Sequence, residues 1–289
     1  MRFEIFTLFP EYFSGPFTTS IIKRAREAEK LEVCLHDIRE WADGKHKMAD
    51  DAPFGGGAGM VMKAEPVAKA LENVLDFEVG FSPPPCPIIY LSPQGRTLNQ
   101  KIVEELAALP RIALLCGHYE GIDERALEAC VTDEISLGDF VLTGGEGAAA
   151  ILVEAVARFL PDVLGNEESA RNDSFANGLL DAPCYTRPAS WRGWQIPEIL
   201  LSGHHAKIED WRWEQGLRRT LARRPELVEP ALLGLPLSKT RRKILEQVLL
   251  EEQERKTQNQ SSTEAAFSTS ESATSEENNS EQARNHSLG

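Results

Sequence analysis

No two of the five cysteines in this chain are spaced C-x-x-C; Cys34, Cys86, Cys116, Cys130 and Cys184 are odd in number and widely scattered. That pattern excludes a disulfide framework and a structural zinc site, and it fits a reduced, cytoplasmic setting. His204 and His205 lack a third ligand at any zinc spacing. Long apolar runs are also missing: no stretch approaches the length of a membrane span. The opening MRFEIFTLFPEYF carries Glu4 and Glu11 inside its apolar run and has no cleavage-site pattern, so it does not read as a signal peptide. There is no G-x-x-x-x-G-K-[ST], hence no cradle for a nucleoside triphosphate. Basic charge is scarce as well. The net charge is −14, and residues 251–289 hold eight glutamates against Arg255, Lys256 and Arg284, which leaves the body at −9. Taken alone this argues against RNA binding, and any RNA contact must come from local basic patches.

What is present describes an ordinary globular protein, 42% hydrophobic and 26% charged. The 289 residues suffice for one large domain or two small ones. Strands are expected over Arg2–Leu8, Leu31–Ile38, Ile88–Leu91, Ile112–Cys116 and about Glu134–Leu137, the third ended by a Ser92-Pro93-Gln94-Gly95 turn. Helices are expected over Ile21–Lys30, Glu65–Asp76, Leu98–Leu109 and Ala148–Leu160. This alternation predicts an α/β fold, a parallel sheet with helices on both faces, over residues 1–160. Residues 161–185 are polar and weakly periodic, a flexible interdomain linker. Residues 186–256 read as a smaller helical unit. From 257 to 289 Ser, Glu, Asn and Gln dominate, which predicts a disordered acidic tail.

The densest signal lies at residues 111–147. Two apolar strands there run into glycine-rich loops, Gly117-His118-Tyr119-Glu120-Gly121 and Gly138 to Gly145, and strand ends of open α/β sheets are where ligands bind. Each glycine taken singly is a turn. Together they suggest exposed amides around a ligand without a phosphate cradle. Gly145-Glu-Gly147-Ala-Ala-Ala150 also fits G-x-G-x-x-A, which leaves an NAD-dependent oxidoreductase as one alternative; but the acids at the required distance, Glu167 and Glu168, lie beyond Pro161 in a polar loop. A second concentration of signal is the basic run Lys207, Arg212, Arg218, Arg219, Arg223 and Arg224, near Trp191, Trp194, Trp211 and Trp213. Bases interleaved with aromatics suit phosphate contacts and stacking on unpaired nucleotides. A solvated helix face with core tryptophans explains them equally well, and a non-catalytic RNA-binding module is the other alternative.

Four ordered motifs carry a resemblance: Tyr90-Leu-Ser-Pro-Gln-Gly95, Cys116-Gly-His-Tyr-Glu-Gly-Ile-Asp-Glu-Arg125, Leu137-Gly-Asp-Phe-Val-Leu-Thr-Gly-Gly-Glu146 and Asp173-Ser-Phe. Over Met1 to about residue 230 the chain resembles the bacterial tRNA (guanine-N1)-methyltransferases, trefoil-knotted SPOUT enzymes that use S-adenosylmethionine. The departures, Phe140 for a common Tyr and Phe54 and Ala58 in the glycine loop, touch none of the proposed chemistry. The resemblance implies a C-terminal trefoil knot in the first domain, and a tRNA-binding role for the helical unit. It further implies methylation of N1 of guanosine 37, 3′ of the anticodon, by a homodimer whose active sites are shared between subunits. It places Tyr90, Leu91, Ser92, Gly117, Tyr119, Leu137, Gly138, Asp139, Phe140, Val141, Leu142, Gly144 and Gly145 around the donor. Glu120 would hold a ribose hydroxyl or offset the sulfonium. The glycine-rich loop 43–59 would lie near the nucleotide.

Guanine N1 must lose a proton before it can accept a methyl group, and a carboxylate within reach can take it. The charge then spreads to O6, where a fixed cation lowers the barrier. By resemblance Asp173 is the base and Arg158 the cation; on sequence alone Asn172-Asp173-Ser174 is equally a turn or helix cap, and Arg158 a surface arginine near a helix end. His118 reads as structural. The family is associated with Mg²⁺, but no carboxylate cluster indicates a site for it.

Overall fold

The computed structural model describes residues 1–165, 173–233, 236–255 and 257–258. The chain divides into two compact units, Met1–Arg171 and Asn172–Gly289. Residues 166–172 of the predicted linker, Lys256, and the predicted tail beyond residue 258 lie outside the described residues.

In the first unit the strands are β1 (Arg2–Thr7), β2 (Glu32–Asp37), β3 (Asp50–Asp51), β4 (Val61–Met62), β5 (Ile88–Thr97), β6 (Arg111–Cys116) and β7 (Asp133–Ser136). The helices are α1 (Ser20–Glu27), α2 (Ala64–Leu75), α3 (Gln100–Ala107), α4 (Glu124–Cys130) and α5 (Glu146–Ala157). Five strands form one sheet in the order β2-β1-β6-β5-β7, and every neighbouring pair is parallel. Strand side chains alternate between two cores, as the period of two requires. Phe3, Ile5, Ile89, Leu91, Ile112 and Leu114 pack with α1, α3 and α5. Phe6, Ile88, Tyr90, Ala113 and Leu115 pack with α2 and α4. Both faces are therefore covered, which is why these strands read as continuous apolar runs.

Strand β5 differs from expectation. It does not stop at Leu91: it bulges over Ser92–Gly95 and resumes, so that Leu91 and Arg96 both pair with Ile135. Gly95 makes this possible, since a Cβ there would lie 2.4 Å from the Glu134 and Ile135 backbone. The bulge leaves Ser92 and Pro93 at the rim of the sheet, where the cleft described below opens.

One polar residue sits in mid-sheet. Glu4 is fully buried. Its Oε1 accepts from Arg2 Nε at 2.6 Å and from Arg111 Nε and Nη2 at 3.0 and 2.6 Å, and its Oε2 lies 2.8 Å from His36 Nε2. This carboxylate joins β1, β2 and β6. Burial pushes its pKa up, but the hydrogen bonds from His36, Arg111 and Arg2 outweigh that and hold it below the usual carboxylate range.

In the second unit α6 (His205–Arg223) and α7 (Val228–Leu233) are followed by helix α8 over 239–255. Trp213, Leu217, Val228, Ala231 and Val248 form its core together with Leu179. A hairpin precedes the helices: β8 (Ser190–Trp191) pairs antiparallel with β9 (Trp194–Gln195). Strands of two residues carry no readable period, so the sequence predicted only helix here. Among the described residues no helix is long and apolar enough to cross a membrane.

Candidate active site

The bulge of β5 and the C-terminal ends of β6 and β7 open into a cleft of about 260 Å³. Three loops make its walls, and backbone meets backbone where they touch. Gly145 N donates to Gly117 O at 2.9 Å, and His118 bridges Gly144. A Cβ on Gly145 would lie 2.8 Å from Cys116 Cα, so only glycine allows α5 to start this close to β6. A Cβ on Gly117 would meet the Tyr90 hydroxyl at 2.7 Å; the ring lies against bare backbone, and burial raises the phenol's pKa and keeps it neutral. The neighbouring Cys116 thiol is fully buried, which raises its pKa well above the usual value and leaves it inert.

Of the residues assigned to the donor, Tyr90, Leu91, Ser92, Gly117, Tyr119, Glu120, Leu137, Phe140, Val141, Leu142, Gly144 and Gly145 line this cleft, and Gly138 and Asp139 do not. Tyr119 holds φ +60, an uncommon conformation for a side-chain-bearing residue, at the cleft wall. The glycine-rich loop reaches the same wall. Glu120 N donates to Met60 O at 3.0 Å, and a Cβ on Gly59 would lie 2.5 Å from Glu120 Oε1. Loop 55–59 therefore ends against the Glu120 carboxylate.

Four residues, Thr7, Phe9, His118 and Glu146, support the cleft without having been assigned to the donor. Thr7 Oγ1 donates to Glu146 Oε1 at 2.6 Å, and the other oxygen of this buried carboxylate is 3.7 Å from His118 Nδ1. A Cβ on Gly144 would fall between them, 2.3 Å from His118 Nδ1 and 2.4 Å from Glu146 Oε2. Phe9 packs on the His118 ring, centroids 4.6 Å apart. The sequence signal for Glu146 is its place directly after Gly144-Gly145 at a helix start, where an acid suits the dipole; its pairing with β1 is not readable from spacing.

The two proposed catalytic side chains fall in different units. Arg158 caps the C-terminal end of α5, in the unit that holds the cleft. Twelve residues of α5 separate it from the glycine loops, about 18 Å of helix. Asp173 opens a turn in the second unit: its carbonyl accepts from Ala176 N at 3.2 Å, and Phe175 N donates to Leu179 O at 2.8 Å. Leu179 is buried in that unit's core, so the turn is mounted on it.

The basic run lies on and just after α6. Lys207, Arg212, Arg223 and Arg224 are exposed. Several carry local acid partners: Arg212 reaches Glu209 at 2.7 Å, Arg224 reaches Glu226, and Arg218 joins Glu251 at 2.6 Å and Glu214 at 2.9 Å. Arg219 donates to Asp181 O at 2.9 Å. Arg218 and Arg219 thus also fasten α6 to its own unit. Among the described residues no three His, Cys, Asp or Glu side chains are grouped to hold a metal ion.

A family model described as tRNA (Guanine-1)-methyltransferase TrmD matches residues 1–230. A protein of Herpetosiphon aurantiacus named tRNA (guanine-N(1)-)-methyltransferase is 57% identical over 234 residues, 81% of this chain and 90% of that one. Proteins with the same name are 50% identical over 252 residues in Dehalococcoides mccartyi (87% of this chain, 98% of that one) and 52% identical over 255 residues in Geobacter sp. (88% and 99%). This chain belongs to the tRNA (guanine-1)-methyltransferase family and is a methyltransferase.

Proposed function

We propose that the chain transfers a methyl group from S-adenosylmethionine to N1 of guanosine 37 of tRNA, with the donor in the cleft at the β5 bulge and the ends of β6 and β7. The observation that carries this reading is the convergence of three separate sequence motifs on one cleft whose walls are apolar side chains and glycine backbone. An adenosine suits such a site, with a flat apolar slot and a few amides and carbonyls at its edge. The sulfonium supplies an electrophilic methyl group when bound. The chain's own part is to hold and orient the two reactants, which accounts for much of the rate. Asp173 takes the N1 proton, and Arg158 offsets the charge that develops on O6. Among the described residues no group of His, Cys, Asp or Glu is arranged to hold magnesium, and this reading assigns the metal no step.

The working unit in this reading is a homodimer with shared sites. Helix α5 carries Arg158 about 18 Å away from the glycine loops of its own chain, and Asp173 belongs to the other unit. A partner chain can bring both to the cleft without folding this chain back on itself. Exposed apolar side chains on the cleft's rim and the adjoining helix support the same arrangement. Val141 is 82% exposed, Phe140 55% and Ile151 53%, and a Cβ on Gly147 would sit 3.2 Å from Tyr12 Oη and 3.9 Å from Leu142, so these elements are contiguous. Monomeric proteins seldom leave such patches uncovered. The trefoil knot belongs to this reading too, and so does a cytoplasmic location, where tRNA is met.

Calorimetric titration with S-adenosylmethionine and with NAD tests the assignment of the cleft. Saturable, single-site binding of the first and none of the second is expected. Binding of NAD alone would return the cleft to the oxidoreductase reading, and binding of neither would leave an RNA-binding module.

A further inference from the structure

Trp191 and Trp194 are the most conspicuous side chains that the chemistry above leaves unused. They are 60% and 77% exposed, and they pair directly across the β8–β9 hairpin. Residues directly opposite in an antiparallel pair share one face of the ribbon. The connection is only Arg192-Gly193, at φ +52 and +86. Positive φ at both central residues is the two-residue turn whose twist matches a hairpin, so the turn holds both indoles on one face of the ribbon. Gln195 Nε2 donates to Ser190 Oγ at 2.9 Å and Ile196 N to Ala189 O at 3.0 Å, which locks the ribbon's base. The Arg192 guanidinium lies over the Trp191 ring, 4.9 Å from its centroid. Neither indole is in contact with another aromatic ring among the described residues.

Charge selects the occupant. The chain as a whole carries −14, yet residues 182–197 contain Arg187 and Arg192 and no acid. Residues 184–195 are all exposed, Tyr185 among them. An acid-free, arginine-bearing ribbon that displays two indoles, in a strongly acidic protein, is complementary to a polyanion with flat faces. Unpaired nucleotides have both properties, and base–aromatic stacking tolerates any base.

We infer that Trp191 and Trp194 form a stacking platform for unpaired bases of the tRNA substrate, with Arg192 beside them to meet the adjoining phosphate. The inference rests on the tRNA reading of the family. It adds a contact surface on the hairpin, separate from the basic run on α6.

The test compares wild type with Trp191→Ala/Trp194→Ala and Trp191→Phe/Trp194→Phe. Two RNA probes are used, an anticodon stem-loop and a duplex of the same stem with no unpaired bases. The alanine variant is expected to bind the stem-loop about 10- to 100-fold more weakly. Its affinity for the duplex and for S-adenosylmethionine and its melting temperature should match wild type, and the phenylalanine variant should recover most of the loss. Equal stem-loop affinity in all three proteins would overturn the platform, as would an equal loss on both RNAs. A changed sedimentation coefficient with unchanged RNA affinity would overturn it in favour of a contact between copies of the chain. If wild type itself fails to bind the stem-loop, the tRNA reading falls first.

Discussion

Asp173→Ala is expected to lower the single-turnover methylation rate constant by about 10²- to 10⁴-fold, the usual contribution of a positioned general base. The reasoning starts from the substrate. Guanine N1 carries a proton, and its lone pair becomes available only when that proton leaves. Among the described residues the two carboxylates at the cleft are otherwise engaged: Glu120 abuts Gly59, and Glu146 is buried and bound by Thr7. The turn that carries Asp173 is fixed through Ser174 Oγ, which accepts from Asp181 N at 3.0 Å, and through the burial of Leu179. The turn thus has holds other than the carboxylate that the substitution removes. S-adenosylmethionine binding should be unchanged, because the cleft lies in the other unit. An undiminished rate constant would place the base elsewhere; a parallel loss of donor binding would mean that the substitution acts on structure.

Glu4→Gln is expected to destabilise the first unit by about 2 to 3 kcal/mol at pH 7, somewhat below the cost of stripping a fully buried ion pair because both arginines reach solvent. The glutamate is fully buried, yet it accepts from two guanidiniums and a histidine on three strands. Glutamine keeps the volume and one acceptor but removes the charge those donors surround. The pH dependence has a definite sign. The folded pKa is depressed relative to the unfolded one, so this contribution is complete above the ordinary glutamate value of about 4.3 and is lost as pH falls through the lower folded value. The stability gap between wild type and variant, from denaturant melts at several pH values, should be constant near neutrality and shrink below about pH 4. A gap that widens in acid would contradict the ionised, hydrogen-bonded carboxylate. Donor affinity of the folded variant should be unaffected, since Glu4 lies in mid-strand and away from the cleft.

The parallel sheet was legible because β1, β5 and β6 are covered on both faces and so spell out apolar runs. The cleft was legible because its glycines are required where loops touch backbone to backbone, as at Gly117 and Gly145, and such requirements leave motifs. Other features depend on pairs far apart in the chain. Glu4 and Arg111 are separated by 107 residues and Thr7 and Glu146 by 139, and no periodicity connects them. The same limit explains β5: a strand that bulges and resumes is indistinguishable, in sequence, from one that ends in a Pro-Gly turn. The fate of the tryptophans was open for a related reason. Trp213 went to the core on the buried stripe it shares with Gly216, Leu217 and Thr220 of α6, while Trp191 and Trp194 went to a hairpin tip set by the two-residue turn at Arg192-Gly193.

The most direct test of the central claim is to incubate the full-length protein with an unmodified tRNA transcript bearing guanosine 37 and with methyl-labelled S-adenosylmethionine, then digest the RNA and locate the label by mass spectrometry. The account predicts one labelled nucleoside, N1-methylguanosine, at position 37, and none in a transcript with adenosine there. Label on another atom or another nucleotide, or no transfer from a donor that binds, would contradict it.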